Sequence, residues 1–293
     1  MTPTRTLHVL LALLLAAYSL AAYSLAACST EFDPRVDSDL HFSVWGALNA
    51  TADTQWVRVA PVRATLDREA GPVDAAVSLV RLSDGQRWPM SDSLVTLASG
   101  LVVHGFWTTA AIEPDATYRV DIRRSDGAET RATVRIPPAL PPLRLTDGIC
   151  SCPSRATVSG TDNLIDAFAI YRDSTTGRTA RFSKRPLIRR LESGAFTADV
   201  YYGDDAIALR EDPFDLDRFV SEIEVVSATD AWPDGATLGF EESLRPLDGG
   251  RVENGVGFVG GVVTQRVRFK PGLGPCPTFG VPAGPCLFRS PPP

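Results

Sequence analysis

Hydrophobic and polar residues alternate with a period of two through much of the chain. In "YRVDI", Tyr118, Val120 and Ile122 fall on one side and Arg119 and Asp121 on the other, the signature of a half-buried strand. The runs "LHFSVWGAL", "TQWVRVAPVR", "DAAVSLVRL", "LVVHGFWTT", "ATYRVDIRR" and "AETRATVRIP" are strand-length and rich in β-branched or aromatic residues. Turn residues separate them, including Ser83-Asp84-Gly85 and Ser125-Asp126-Gly127. Helical periodicity is missing from this half. After residue 143 strand-like runs return in "SRATVSG", "DAFAIYRD", "RTARFSK", "GAFTADVYYG", "SEIEVVSA" and "VVTQRVRF". Short helices are predicted only within "DPFDLDRFV" and "TLGFEESLRPL". The pattern predicts an all-β protein with little helix.

The segment "IPPALPP", residues 136 to 142, has four prolines in seven residues and should be extended and stiff. It suggests a domain boundary. The predicted organisation is a sandwich over 41–137, a linker over 138–142, a second β-rich domain over 143–270 and a Pro/Gly-rich tail over 271–293. Ile112-x-Pro114-x-x-x-Tyr118 resembles the tyrosine corner of immunoglobulin-like and fibronectin-like sandwiches, in which the tyrosine hydroxyl bonds back to upstream backbone. An ordinary core tyrosine is the alternative.

Composition is that of a globular protein, with 44% hydrophobic and 22% charged residues in a chain of 293. A formal net charge of -6 disfavours a nucleic-acid partner, which requires a clustered positive field. Only Lys184 and Lys270 are lysines, so nearly every positive charge is an arginine.

Residues 1–27 have a polar start containing Arg5, an apolar run from Leu7 and small residues before a possible cut. The segment resembles bacterial lipoprotein signals, with Leu25-Ala26-Ala27-Cys28 as the lipobox. That resemblance implies a diacylglyceryl group on the Cys28 thiol, cleavage between Ala27 and Cys28, and acylation of the new amine. Two or more acyl chains would anchor the protein stably, with residues 28–40 as a tether. Ser29 stands where an aspartate would mark inner-membrane retention by the enteric rule, so an outer-membrane destination is expected. An uncleaved apolar anchor is the rival reading.

Four further cysteines remain: Cys150, Cys152, Cys276 and Cys286. An even number in an exported chain reads as disulfides. A four-thiolate zinc site is disfavoured by the spacings. A cross-link from the Cys150/Cys152 pair to the tail closes the longer loop and is preferred over bridging Cys150 to Cys152, although both pairings stay open.

Candidate chemistry is sparse. Gly255-Val256-Gly257-Phe258-Val259-Gly260 fits a dinucleotide fingerprint but lies in a strand context, so close backbone approach is the better reading. His41 and His104 accompany no serine-hydrolase elbow or zincin pair. The acidic run "EDPFDLD", Glu211 to Asp217, lacks the ordered calcium-loop pattern. In "QWVRVAP" Val57 and Val59 share one strand face, and Trp56 and Arg58 the other. An outward tryptophan beside an arginine suits a binding surface, whereas packing beneath a loop is the commoner fate of such a residue. No cofactor or metal is expected.

In order along the chain, "VWGAL...TQWVRV", "AAVSLVRLSDG", "ATYRVDIRRSDGAETRATVRIP" and "ENGVGFVGG" resemble an uncharacterised lipoprotein family, domain of unknown function four-two-four-nine. The resemblance covers most of 42–137 and the block 254–261. It implies an immunoglobulin-like domain followed by a second β-rich domain, often encoded beside TonB-dependent outer-membrane transporters. The expected function is a non-enzymatic binding or accessory protein, lipid-anchored at the outer membrane and partnered with such a transporter. The alternative is an envelope hydrolase acting on glycan or peptide through carboxylates of "YYGDD", Tyr201 to Asp205, and "EDPFDLD".

Overall fold

The computed structural model describes residues 40–62, 71–97, 100–146, 154–209, 219–233 and 252–269, all within one compact unit. The expected signal segment, the expected tether apart from Leu40, all five cysteines and the tail lie outside the described residues. So do both expected short helices, apart from Phe219 and Val220, which begin a strand.

The chain is all-β, as the two-residue period predicts. The first half contributes β1 (Phe42–Asn49), β2 (Gln55–Pro61), β3 (Ala76–Arg81), β4 (Arg87–Pro89), β5 (Ser91–Thr96), β6 (Val102–Thr108), β7 (Thr117–Arg123) and β8 (Glu129–Arg135). The second half contributes β9 (Arg144–Thr146), β10 (Ser154–Val158), β11 (Asn163–Asp173), β12 (Thr179–Ser183), β13 (Ile188–Arg190), β14 (Phe196–Val200), β15 (Phe219–Ala228), β16 (Val252–Glu253) and β17 (Gly255–Phe269). A helix that the strand pattern does not anticipate, α1 (Tyr202–Leu209), lies between β14 and β15. Tyr202, Ala206 and Leu209, spaced i, i+4 and i+7, turn one side of it to the core.

Three sheets are present among the described residues. The eight-stranded sheet runs β12-β11-β15-β17-β1-β2-β6-β5, beside a five-stranded sheet β16-β8-β7-β3-β4 and a four-stranded sheet β13-β14-β10-β9. The long sheet therefore crosses the boundary expected at 138–142. The join is β1 against β17, the only parallel pairing among the described strands, with Phe42 opposite Gly255 and Asn49 opposite Val262. The long sheet draws β1, β2, β5 and β6 from before the proline-rich segment and β11, β12, β15 and β17 from after it, and Leu140 within that segment packs against the two larger hydrophobic cores.

Strand β17 explains how one sheet can serve two cores. On one face its Val259 and Val263 enter a core with Phe42, Leu48, Tyr118 and Ile136, against the five-stranded sheet. Further along the same face, Val267 and Phe269 enter a second core with Tyr171, Val200 and Ile223. A fifteen-residue strand spans roughly 50 Å at about 3.4 Å per residue, long enough to pass over both. On its other face, Phe258 and Val262 join Trp45, Val226 and Trp232 in a third cluster.

The tyrosine corner is present. Tyr118 is fully buried and its hydroxyl accepts the Glu113 N–H at 2.9 Å. Asp115, in between, has φ of 61°, the left-handed turn that brings the chain back into β7.

Candidate functional site

Strand β2 alternates as its sequence requires: Val57 and Val59 are fully buried in the first core, while Trp56 and Arg58 lie half-buried on the opposite face. Sheet pairing then supplies neighbours that the strand itself does not contain. Trp56 sits opposite Trp107 of β6, with ring centroids 6.1 Å apart and planes 35° apart. Beneath the Trp56 ring is Gly105, where an added Cβ would lie 3.1 Å from Trp56 Cε3. The missing side chain thus lets the indole lie against the sheet. The Trp107 Nε1–H donates to Ser93 Oγ on β5 at 3.0 Å, which fixes that ring's edge.

Arg58 is opposite Trp45 on β1, and burial pulls its guanidinium below the ordinary arginine value. From Trp45 the aromatic row continues to Phe258, 5.8 Å away, and from there to Trp232, 5.2 Å away and edge-on. Further across the same face, the Arg181 guanidinium lies 3.4 Å from the centroid of the Phe168 ring. Glu224, buried beside it, accepts from both Arg181 and Arg266. One face of the long sheet therefore carries an aromatic row flanked by arginines. Of that row, Trp56 and Arg58 stand out from the sequence; Trp107 and Trp45 join them through the pairing of β2 with β6 and β1.

Several other sequence candidates among the described residues have structural employment. The Gly255–Gly260 run lies within β17, which continues as strand to Phe269. Gly257 has φ of +110°, and a Cβ there would come 2.0 Å from the Val44 carbonyl oxygen, so close backbone approach accounts for it. His104 holds Asp92 through Nδ1 at 2.9 Å and the Gly71 carbonyl through Nε2 at 3.1 Å. On the outer face of the five-stranded sheet, Arg87 and Arg119 share Asp121 while Arg123 and Arg131 share Glu129. In "YYGDD", Asp204 is exposed in the first turn of α1. Asp205 points inward instead, where its Oδ2 accepts the Tyr171 hydroxyl at 2.7 Å and its Oδ1 pairs with Lys184 Nζ. Burial raises the Asp205 carboxyl above its usual value despite the neighbouring ammonium.

The positions of the expected lipidation at Cys28, the expected cleavage after Ala27, the expected disulfides of Cys150, Cys152, Cys276 and Cys286, and the acidic run 211–217 fall outside the described residues. Among the described residues no group of three or more His, Cys, Asp or Glu side chains is arranged to hold a metal ion. No helix there is long and apolar enough to cross a membrane.

No family model matches the chain, and no curated protein matches it. Among solved structures, similarity is found to a pullulanase from Anoxybacillus sp. LM18-11, with 12% identity over 63% of this chain and a TM-score of 0.21. The same enzyme complexed with maltotriose gives 11% identity and a TM-score of 0.20. The matched part spans about a quarter of that chain's length, 24% in each case. At these TM-scores the likeness carries no argument about fold or activity.

Proposed function

We propose that this chain is a lipid-anchored binding protein of the bacterial outer membrane, which engages its partner through the face bearing Trp56, Arg58 and Trp107. The observation that carries the reading is that two half-buried tryptophans pack together beside a half-buried arginine on one sheet face. Large rigid aromatic surface and a partly desolvated guanidinium are the features that concentrate binding energy, each hot-spot side chain contributing about 2 kcal/mol or more on truncation. The anchor rests on the lipobox ending at Cys28, and the TonB-dependent transporter as partner rests on the family resemblance alone. A catalytic role for Asp205 is less favoured, because Lys184 and Tyr171 occupy its carboxylate inside the core.

The test uses the full-length lipidated protein recovered from outer membranes. Wild type should incorporate labelled fatty acid and co-purify with a transporter, and Cys28→Ser should lose the label. Trp56→Ser with Trp107→Ser should weaken the transporter complex by at least about thirtyfold, which corresponds to about 2 kcal/mol. Equal recovery of transporter by the variant refutes the binding face. Glycan or peptide hydrolysis that vanishes in Asp204→Asn would replace a binding protein by a hydrolase.

A further inference from the structure

Lys184 is one of two lysines in the chain, and it is not a surface residue. Its side chain is 9% exposed, and that of its partner Asp205 is 4% exposed. The two come from different elements. Lys184 follows β12, with its backbone N–H bonded to the Ala167 carbonyl at 2.6 Å, while Asp205 belongs to the first turn of α1. Aromatic rings enclose them. Lys184 Nζ lies 5.6 Å from the centroid of Phe182, and the Tyr171 ring packs about 6 Å from Phe182, Tyr202 and Phe269. A buried ion pair is an uncertain source of stability, since desolvation can exceed the attraction and apolar residues often serve as well. The arrangement does bring an amine, a carboxyl and a hydroxyl donor together in a largely buried site.

We propose that Lys184 Nζ and Asp205 Cγ become joined by an amide bond within the folded protein, forming an intramolecular cross-link. The step begins with transfer of one proton from the ammonium to Oδ1, which leaves a neutral amine and a neutral carboxylic acid. The nitrogen lone pair then adds to Cγ, and the carbonyl electron pair moves onto Oδ2, where the Tyr171 hydroxyl already donates. A second proton passes from nitrogen to the Oδ1 hydroxyl, the Cγ–Oδ1 bond breaks, and water leaves as the carbonyl re-forms on Oδ2. Of the three ammonium hydrogens, one stays on the amide and two depart with Oδ1, so no oxidant, reductant or further reactant is needed. Burial raises the Asp205 carboxyl and so favours the neutral acid that addition requires. Holding the two groups in contact supplies an effective concentration on the order of 10⁵ M or more, which offsets the unfavourable condensation in bulk water. The link would close the chain from the end of β12 through β13 and β14 into α1.

Mass spectrometry of the full-length protein, reduced and denatured, tests for the bond directly. A digest should contain a branched peptide joining Lys184 to Asp205, lighter by one water than the sum of its two strands, and Lys184 should resist trypsin and amine acetylation. In Asp205→Asn the same branched peptide should form with loss of ammonia, and in Lys184→Arg it should be absent. Tyr171→Phe should slow its appearance in the folded protein by about a hundredfold, as removal of one oxyanion donor does. Quantitative recovery of separate Lys184 and Asp205 peptides from wild-type protein kept folded for days would overturn the proposal. So would a branched peptide that persists in Lys184→Arg. If either variant fails to fold, the wild-type digest still distinguishes a linked from an unlinked pair.

Discussion

Adding a single methyl group at Gly261 should test whether the close approach of β17 to β8 holds the first core together. A Cβ built there would lie 2.3 Å from the Arg135 carbonyl oxygen and 2.9 Å from Ile136 Cα, where ordinary contact begins at 3.4 Å. The obstacle is backbone, so no side chain can swing aside. The end of β8 would have to retreat by about 1 Å, yet Arg135 is paired with Thr117 of β7 and the Ile136 N–H is bonded to the Ala116 carbonyl at 2.9 Å. Overpacking against a fixed neighbour costs typically about 1–3 kcal/mol, and the unyielding backbone places Gly261→Ala near 3 kcal/mol. Gly85→Ala provides the contrast: its φ is +72° but nothing lies within 4 Å of the added Cβ, so only left-handed backbone strain of about 1 kcal/mol remains. Urea unfolding followed by circular dichroism should show a lower midpoint for both variants at unchanged slope. Thermal midpoints should fall by about 6–12 °C for Gly261→Ala and about 2–4 °C for Gly85→Ala. If Gly261→Ala proves no more damaging than Gly85→Ala, the close packing of β17 on β8 is wrong.

Tyr118→Phe removes the acceptor of the Glu113 N–H without changing the buried ring, and should destabilise by about 1 kcal/mol in the same urea assay; an unchanged midpoint would show that the corner hydrogen bond contributes nothing. Asp166 is buried on the outer face of β11 and accepts from Ser183 Oγ at 2.9 Å and the Ala167 N–H at 2.8 Å, and burial raises its pKa above 3.8. Its folded form therefore holds a proton more tightly than the unfolded chain does, so its contribution is fully present below 3.8 and is lost as pH rises through the raised value. Asp166→Asn keeps an oxygen acceptor and carries no charge, so its stability should improve relative to wild type as pH rises across that window; a pH-independent difference would contradict this.

Local periodicity made much of the protein legible. The alternation of Tyr118, Val120 and Ile122 reappears as the buried face of β7, and the spacing from Ile112 to Tyr118 reappears as the corner hydrogen bond, because both depend on residues within a few positions of one another. Likewise Trp56 and Arg58 share a face because a strand obliges them to. The helix α1 had a readable signal in Tyr202, Ala206 and Leu209, but its eight residues sit between strand-like runs that dominate the pattern. What the tertiary structure alone decided is which distant strands meet. Parallel pairing of β1 with β17 carries one sheet across a proline-rich segment that, judged locally, looks like a boundary. The packing of Trp56 against Trp107 depends on which strands become neighbours, as does the meeting of Lys184, Asp205 and Tyr171. A two-residue period states which side of a strand is apolar, and several partners can satisfy that requirement equally. Only simultaneous burial of all the apolar faces selects one arrangement, and that is a property of the whole chain.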